Sequence, residues 1–123
     1  MSDARTMHIG EVADRTSLSL RTLRHYDEIG LVNPSGRTEG GFRLYTDDDV
    51  RRVLLIRRMK PLGYSLEQMG DLLRVLDGAA SPSDDAEART VLRDFRVDAA
   101  ERRDRLARQL EMADEFLDQL DQI

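Results

Sequence analysis

Residues 8–45 read HIGEVADRTSLSLRTLRHYDEIGLVNPSGRTEGGFRLY, and the fold turns on this stretch. Ile9, Val12 and Ala13 share one face of a short helix that runs to Arg15, with Gly10 as N-cap just before Glu11. Thr16-Ser17-Leu18 makes a turn. Ser19 then caps a second helix, predicted from Leu20 to about Ile29 and ended by Gly30. On that helix Leu20 and Leu23 point to one side and leave Arg21, Thr22, Arg24 and His25 on the other. Asn33-Pro34 and Glu39-Gly40-Gly41 punctuate a hairpin, because Gly tolerates the positive backbone angles of tight loops. In its returning strand the two-residue period puts Phe42 and Leu44 on one face and Arg43 and Tyr45 on the other. The second face is the candidate wing surface.

Helix, turn, helix and basic hairpin in this order predict a winged helix-turn-helix. A helix that projects arginines away from an apolar face, beside a hairpin with more arginines and a tyrosine, suits the phosphate-lined major groove of double-stranded DNA.

Downstream, Thr46-Asp47-Asp48-Asp49 is a capping arrangement that opens the helix VRRVLLIRRMK, whose Arg57, Arg58 and Lys60 suit its negative C-terminal end. Pro61 and Gly63 stop it. Ser65 with Gln68 forms a second capping box, and Leu66, Met69, Leu72, Leu73 and Leu76 make one apolar stripe down to Gly78. Residues 78–85, GAASPSDD, read as a linker. Beyond it Leu92, Ala99, Leu106, Ala113 and Leu120 recur every seven residues, and Phe95, Leu110, Phe116 and Leu117 widen the stripe. About forty helical residues at ~1.5 Å each make a rod of roughly 55–60 Å, too long and too charged for the core of so small a domain. Such a seam needs another helix to cover it. Arg102 and Gln109 interrupt the second heptad position, so an antiparallel pairing through the later heptads fits, with Leu106, Leu110, Ala113, Leu117 and Leu120 at the interface of a homodimer. The expected class is therefore mainly α: a winged helix-turn-helix over 1–77 with a small β-hairpin wing, a linker over 78–85, and a long antiparallel coiled-coil dimerisation helix over 86–123.

Composition narrows the chemistry. At 123 residues the chain holds one modest domain plus an appendage. It has no cysteine, which excludes disulfides, thiolate metal sites and thiol redox switching, and two histidines are too few for an all-imidazole site. No Gly-rich phosphate loop, nucleophile or triad motif is visible, so no catalytic residue, metal or cofactor is expected. Without an apolar run of transmembrane length or a signal-peptide segment, the expected location is the cytoplasm and no membrane partner is expected. The net charge of -5 divides unevenly: residues 1–64 carry 11 Lys+Arg and 9 Asp+Glu, whereas 65–123 carry 8 and 15. Since DNA affinity comes from locally placed cations that release counterions, a weakly basic N-terminal half is compatible with binding. One Lys against eighteen Arg points to a GC-rich bacterial genome.

With IGEVA, S-x-R-T-L-R-H-Y, GL, R-T-E-G-G-F-R-x-Y, DV and LGYSLEQM in this order, the chain resembles the MerR family of bacterial transcription regulators over residues 8–77, and more loosely through the terminal helix. The resemblance implies a homodimer joined by antiparallel C-terminal helices, bound to a pseudo-palindromic promoter site that it bends and untwists so that RNA polymerase can engage. It puts Ser19, Arg21, Thr22, Arg24, His25 and Tyr26 at the recognition helix, Arg37, Arg43 and Tyr45 at the wing, and Lys60 at a phosphate. Ser17 stands where the family usually has a turn Gly, and His25 replaces a common Tyr. The expectation is a short member, with neither a cysteine-bearing metal loop nor an effector domain after the helix.

Two alternatives stay open on the sequence. Tyr26 lies near the apolar side of its helix, where it either contacts a phosphate or completes the core. The protein as a whole is a sequence-specific regulator, an architectural DNA-bending protein of low specificity, or an interaction module whose helix pairs with another protein; the specificity ratio at fixed salt separates the first two, and the third predicts a monomer when purified alone.

Overall fold

The computed structural model describes residues 5–78 and 85–123. Their order is β1 (Thr6–His8), α1 (Ile9–Thr16), α2 (Leu20–Glu28), β2 (Gly36–Arg37), β3 (Arg43–Thr46), α3 (Asp47–Met59), a 3-10 turn (Lys60–Leu62), α4 (Leu66–Gly78) and α5 (Ala86–Asp121). The fold is mainly helical, a winged helix-turn-helix followed by one long helix. The interior of the expected linker, residues 79–84, lies outside the described residues.

Local chemistry sets most of the helix boundaries. Ser19 Oγ accepts from Thr22 N at 3.0 Å at the head of α2. Thr46 and Asp49 form a reciprocal capping box at the head of α3: Asp49 N donates to Thr46 Oγ1 at 3.2 Å and Thr46 N donates to Asp49 Oδ2 at 2.9 Å. Ser65 and Gln68 repeat the exchange at α4, at 3.1 and 2.9 Å. Each satisfies backbone N–H groups that a helix start otherwise leaves unbonded. The first helix differs from expectation: it begins at Ile9 with His8 as N-cap and no side-chain cap bond, so Gly10 is inside its first turn. The reason is β1, which feeds α1 with no intervening loop.

That strand is also what the sequence pattern misses. The sheet order is β1-β3-β2, both pairings antiparallel, with Thr6 opposite Thr46, Met7 opposite Tyr45 and Arg37 opposite Arg43. The wing is therefore three-stranded, not a free hairpin. Its tip is closed by Thr38, which donates to Phe42 O at 2.9 Å and whose Oγ1 accepts from Phe42 N at 3.1 Å, while Gly41 takes a φ of +83°, a region a side chain disfavours.

Two compact units emerge from the contacts. The first runs to Pro61 and takes in Ser65–Gly70. In it α1 touches α2, α3, β1 and β3, and Met7, Val12, Leu23, Tyr26, Val32, Tyr45, Val53, Ile56 and Met69 are buried. Thr16, buried at the end of α1, returns its hydroxyl to Val12 O at 2.8 Å. Ser17 follows in the left-handed conformation, φ 59°. Buried Asp49 does more than cap α3: its Oδ2 also accepts from Ser35 N at 3.0 Å and Ser35 Oγ at 2.7 Å, pinning the entry to β2.

The second unit comprises Leu62–Tyr64 and Asp71–Ile123. Asp85 caps α5 through Glu87 N and Ala88 N at 2.9 and 3.2 Å. At 36 residues α5 is about 54 Å long. Arg102, which breaks the heptad, reaches back instead: its Nη1 donates to Leu62 O at 3.1 Å and its Nε to Asp98 Oδ2 at 2.8 Å. From Arg103 to the end every residue is exposed.

Candidate nucleic-acid interface

On α2 the apolar side, Leu23 and Tyr26, is buried, while Arg21, Arg24 and His25 are exposed. Among the described residues none of these three side chains forms a hydrogen bond or ion pair; Thr22 is half-buried, and its hydroxyl accepts from Ser19 Oγ at 2.9 Å. Two unpaired guanidiniums on one short helix carry charge whose partner is missing from the fold. Leu20, paired with Leu23 in the sequence reading, is 39% exposed. Of the two alternatives for Tyr26, its burial fits the core, and that burial raises its phenol pKa.

The wing face is inverted relative to the expectation. Phe42, expected on the inner face, is 69% exposed, whereas Tyr45 is 1% exposed and sits in the core. The two-residue period was right but its polarity was not, because the unforeseen β1 sets Met7 against Tyr45 and α1 and α3 cover that side of β3. Tyr45 is therefore not on the wing surface. Its hydroxyl is buried without a hydrogen-bond partner among the described residues, and burial first, then the charge of Asp27, pushes its pKa up.

Arg43 and Arg37 are tied inward, to a residue the sequence reading overlooked. Asp27 Oδ2 accepts from Arg43 Nε at 2.7 Å and Arg37 Nη2 at 2.9 Å, and its Oδ1 accepts from Asn33 Nδ2 at 2.8 Å. Burial works to raise the Asp27 carboxyl, but the bonds from Arg43, Asn33 and Arg37 outweigh it and hold the pKa below its ordinary 3.8. A signal existed: an acidic residue on a helix expected to face phosphates is repelled unless it has cations of its own. Lys60, at the start of the 3-10 turn, is exposed and unpaired among the described residues.

Between α2 and the wing lies a cleft of about 440 Å³ lined by His8, Ile9, Arg24, Gly41, Phe42 and Arg43. Its lining is mostly apolar, with the guanidinium-bearing Arg24 and Arg43 among the residues that form it.

A sequence profile described as "MerR HTH family regulatory protein" matches residues 7–76, more than half of the chain. The chain belongs to the MerR family. This MerR-family chain is 38% identical over 82 residues to heavy metal-dependent transcription regulator 2 of Rhizobium meliloti (strain 1021), a match covering 67% of the chain and 56% of that relative. It thus spans little more than half the length of that curated relative. A MerR-family transcriptional regulator from Bacillus cereus has a similar structure, with TM-score 0.66, 31% identity, and coverage of 96% of this chain and 79% of that one. The structure of HiNmlR, a MerR-family regulator lacking the sensor domain and bound to promoter DNA, matches with TM-score 0.72 at 25% identity, over 92% and 88% of the two chains. These relatives are transcription regulators, not enzymes. No described helix is long and apolar enough to cross a membrane.

Proposed function

We propose that this MerR-family protein binds double-stranded promoter DNA as a homodimer, with α2 in the major groove, the wing on flanking backbone, and RNA polymerase as its partner at the promoter. The observation that carries the reading is the row of exposed Arg21, Arg24 and His25 on α2, their side chains unpaired among the described residues, beside the cleft that Arg24 and Arg43 help line. Arg24 reads a base edge, and Lys60 holds a phosphate. The HiNmlR complex supports DNA as the ligand, since that regulator was seen on promoter DNA.

Dimerisation follows from α5. Leu106, Leu110, Ala113, Leu117 and Leu120 are exposed along it, Leu110 and Leu117 by 64% and 58%, and a helix so long and so uncovered is stabilised by a partner helix. The working division is 1–77 for DNA, 78–85 as linker and 86–123 for dimerisation. Two subunits then meet a pseudo-palindromic site, and bending it costs roughly 1–6 kcal/mol by elastic estimates, offset by the phosphate contacts of both.

Selection of genomic fragments in vitro, followed by affinity measurements against a scrambled duplex at fixed salt, tests the reading. A two-fold-related site preferred by a factor of at least ~10³ supports it. Equal binding to all duplexes makes the protein architectural instead.

A further inference from the structure

The register of β2 and β3 places Arg37 directly opposite Arg43. Two like charges in a directly opposed pair repel and, left alone, splay a two-residue ladder. What lies between them comes from another element: the Asp27 carboxylate of α2, whose side chain is 8% exposed and whose Oδ2 takes a hydrogen bond from each guanidinium. Asn33 holds the carboxylate from the far side, its Nδ2 bonding both Asp27 Oδ1 and Asp27 O, so the Asp27 side chain cannot swing without giving up its bond to Asn33.

Asp27 also lies one turn after Arg24, on the same side of α2. Arg24 and Arg43 line the same cleft. One carboxylate therefore sets where the wing stands relative to the exposed arginine of the recognition helix. It does so at an electrostatic cost, for a negative charge on a DNA-facing surface cancels a cation that would otherwise release counterions. For bulk affinity alone a neutral residue there would serve better.

We infer that Asp27 is a positioning residue for sequence discrimination, holding the wing in register with α2 through Arg37 and Arg43; this rests on the DNA-binding reading above. The carboxylate trades non-specific attraction for a fixed geometry. Removing its charge frees both guanidiniums to find phosphates on any sequence.

The test compares Asp27→Asn with the unaltered protein on two duplexes of equal length, a fragment recovered by genomic selection and its scrambled counterpart, over a range of salt. The variant is expected to lose at least tenfold of the preference for the selected fragment, to bind the scrambled duplex as tightly or more tightly, and to show a steeper salt dependence on it. Asp27→Glu keeps the charge but lengthens the arm, and is expected to lose preference without that gain. Preference kept within threefold in Asp27→Asn overturns the inference, and so does a parallel weakening on both duplexes, which marks a merely structural role. Should Asp27→Asn fail to fold by circular dichroism, Asn33→Ala, which loosens the carboxylate without altering charge, carries the test: a preference at least threefold lower supports the inference, and an unchanged one overturns it. If the unaltered protein itself prefers no fragment, the sequence-specific reading above falls, a result distinct from retained preference in the variant.

Discussion

The Arg102 guanidinium carbon stands 3.9 Å from the centroid of the Tyr64 ring. The same side chain donates to Leu62 O and Asp98, so a residue that interrupts an apolar heptad is bound within its own chain by a cation–π contact and two hydrogen bonds. Arg102→Leu repairs the heptad yet leaves the Leu62 carbonyl and Asp98 without their partner. Unfolding in urea should show a loss of about 1–3 kcal/mol, with Arg102→Lys in between. A more stable Arg102→Leu would mean that the apolar seam dominates.

Ser17 ends α1 with φ 59°, where an L side chain is strained by roughly 1 kcal/mol. Ser17→Gly should therefore raise the melting temperature by roughly 2–6 °C and leave DNA affinity unaltered. Calorimetry with a binding isotherm checks both.

Tyr45→Phe removes a buried hydroxyl that has no hydrogen-bond partner among the described residues. Because an unsatisfied buried polar group costs about 1–3 kcal/mol, the variant should be as stable as the parent or more so, and should bind DNA equally well. Weaker binding with unchanged stability would place the hydroxyl on DNA after all.

Acid should act through Asp27. Its pKa is lower folded than unfolded, so the clamp contributes fully above its ordinary value of 3.8 and the contribution disappears as pH falls through the depressed folded value. The urea-midpoint difference between the parent protein and Asp27→Asn should stay constant from pH 7 to 5 and shrink only below 3.8. A difference that fades near neutrality contradicts this assignment.

Chelators and micromolar zinc or copper should not change DNA affinity. The relative from Rhizobium meliloti is called heavy metal-dependent, but soft-metal sensing needs thiolates and this sequence has no cysteine. The carboxylates of α5 alternate with arginines that repel a cation. A stoichiometric metal effect surviving His8→Ala and His25→Ala would expose a carboxylate site.

What the sequence makes legible here is mostly what acts over three or four residues. The caps at Ser19, Thr46 with Asp49, and Ser65 with Gln68 are contained in their own tetrapeptides, and each forms as read. The inward turn of Tyr45 depends on Met7, a partner far away in a three-residue strand too short to show any alternation. The Asp27 clamp is similarly non-local: its two arginines come from separate strands, and on a helical wheel Asp27 looks like one more solvated charge. Arg102 was read as a flaw in a repeat because its true partner, Leu62 O, is forty positions away.

The pairing of Thr6 with Thr46 also orders events during synthesis. A ribosome adding about 5–20 residues per second releases Thr46 roughly two to eight seconds after Thr6. Late in that interval α1 and α2 are outside the exit tunnel, with Met7, Val12 and Leu23 not yet covered by β3 and α3. The nascent chain passes through a stage in which α1 and α2 have emerged while the strand that closes the wing has not, and this is the stage at which a chaperone would find apolar surface to hold.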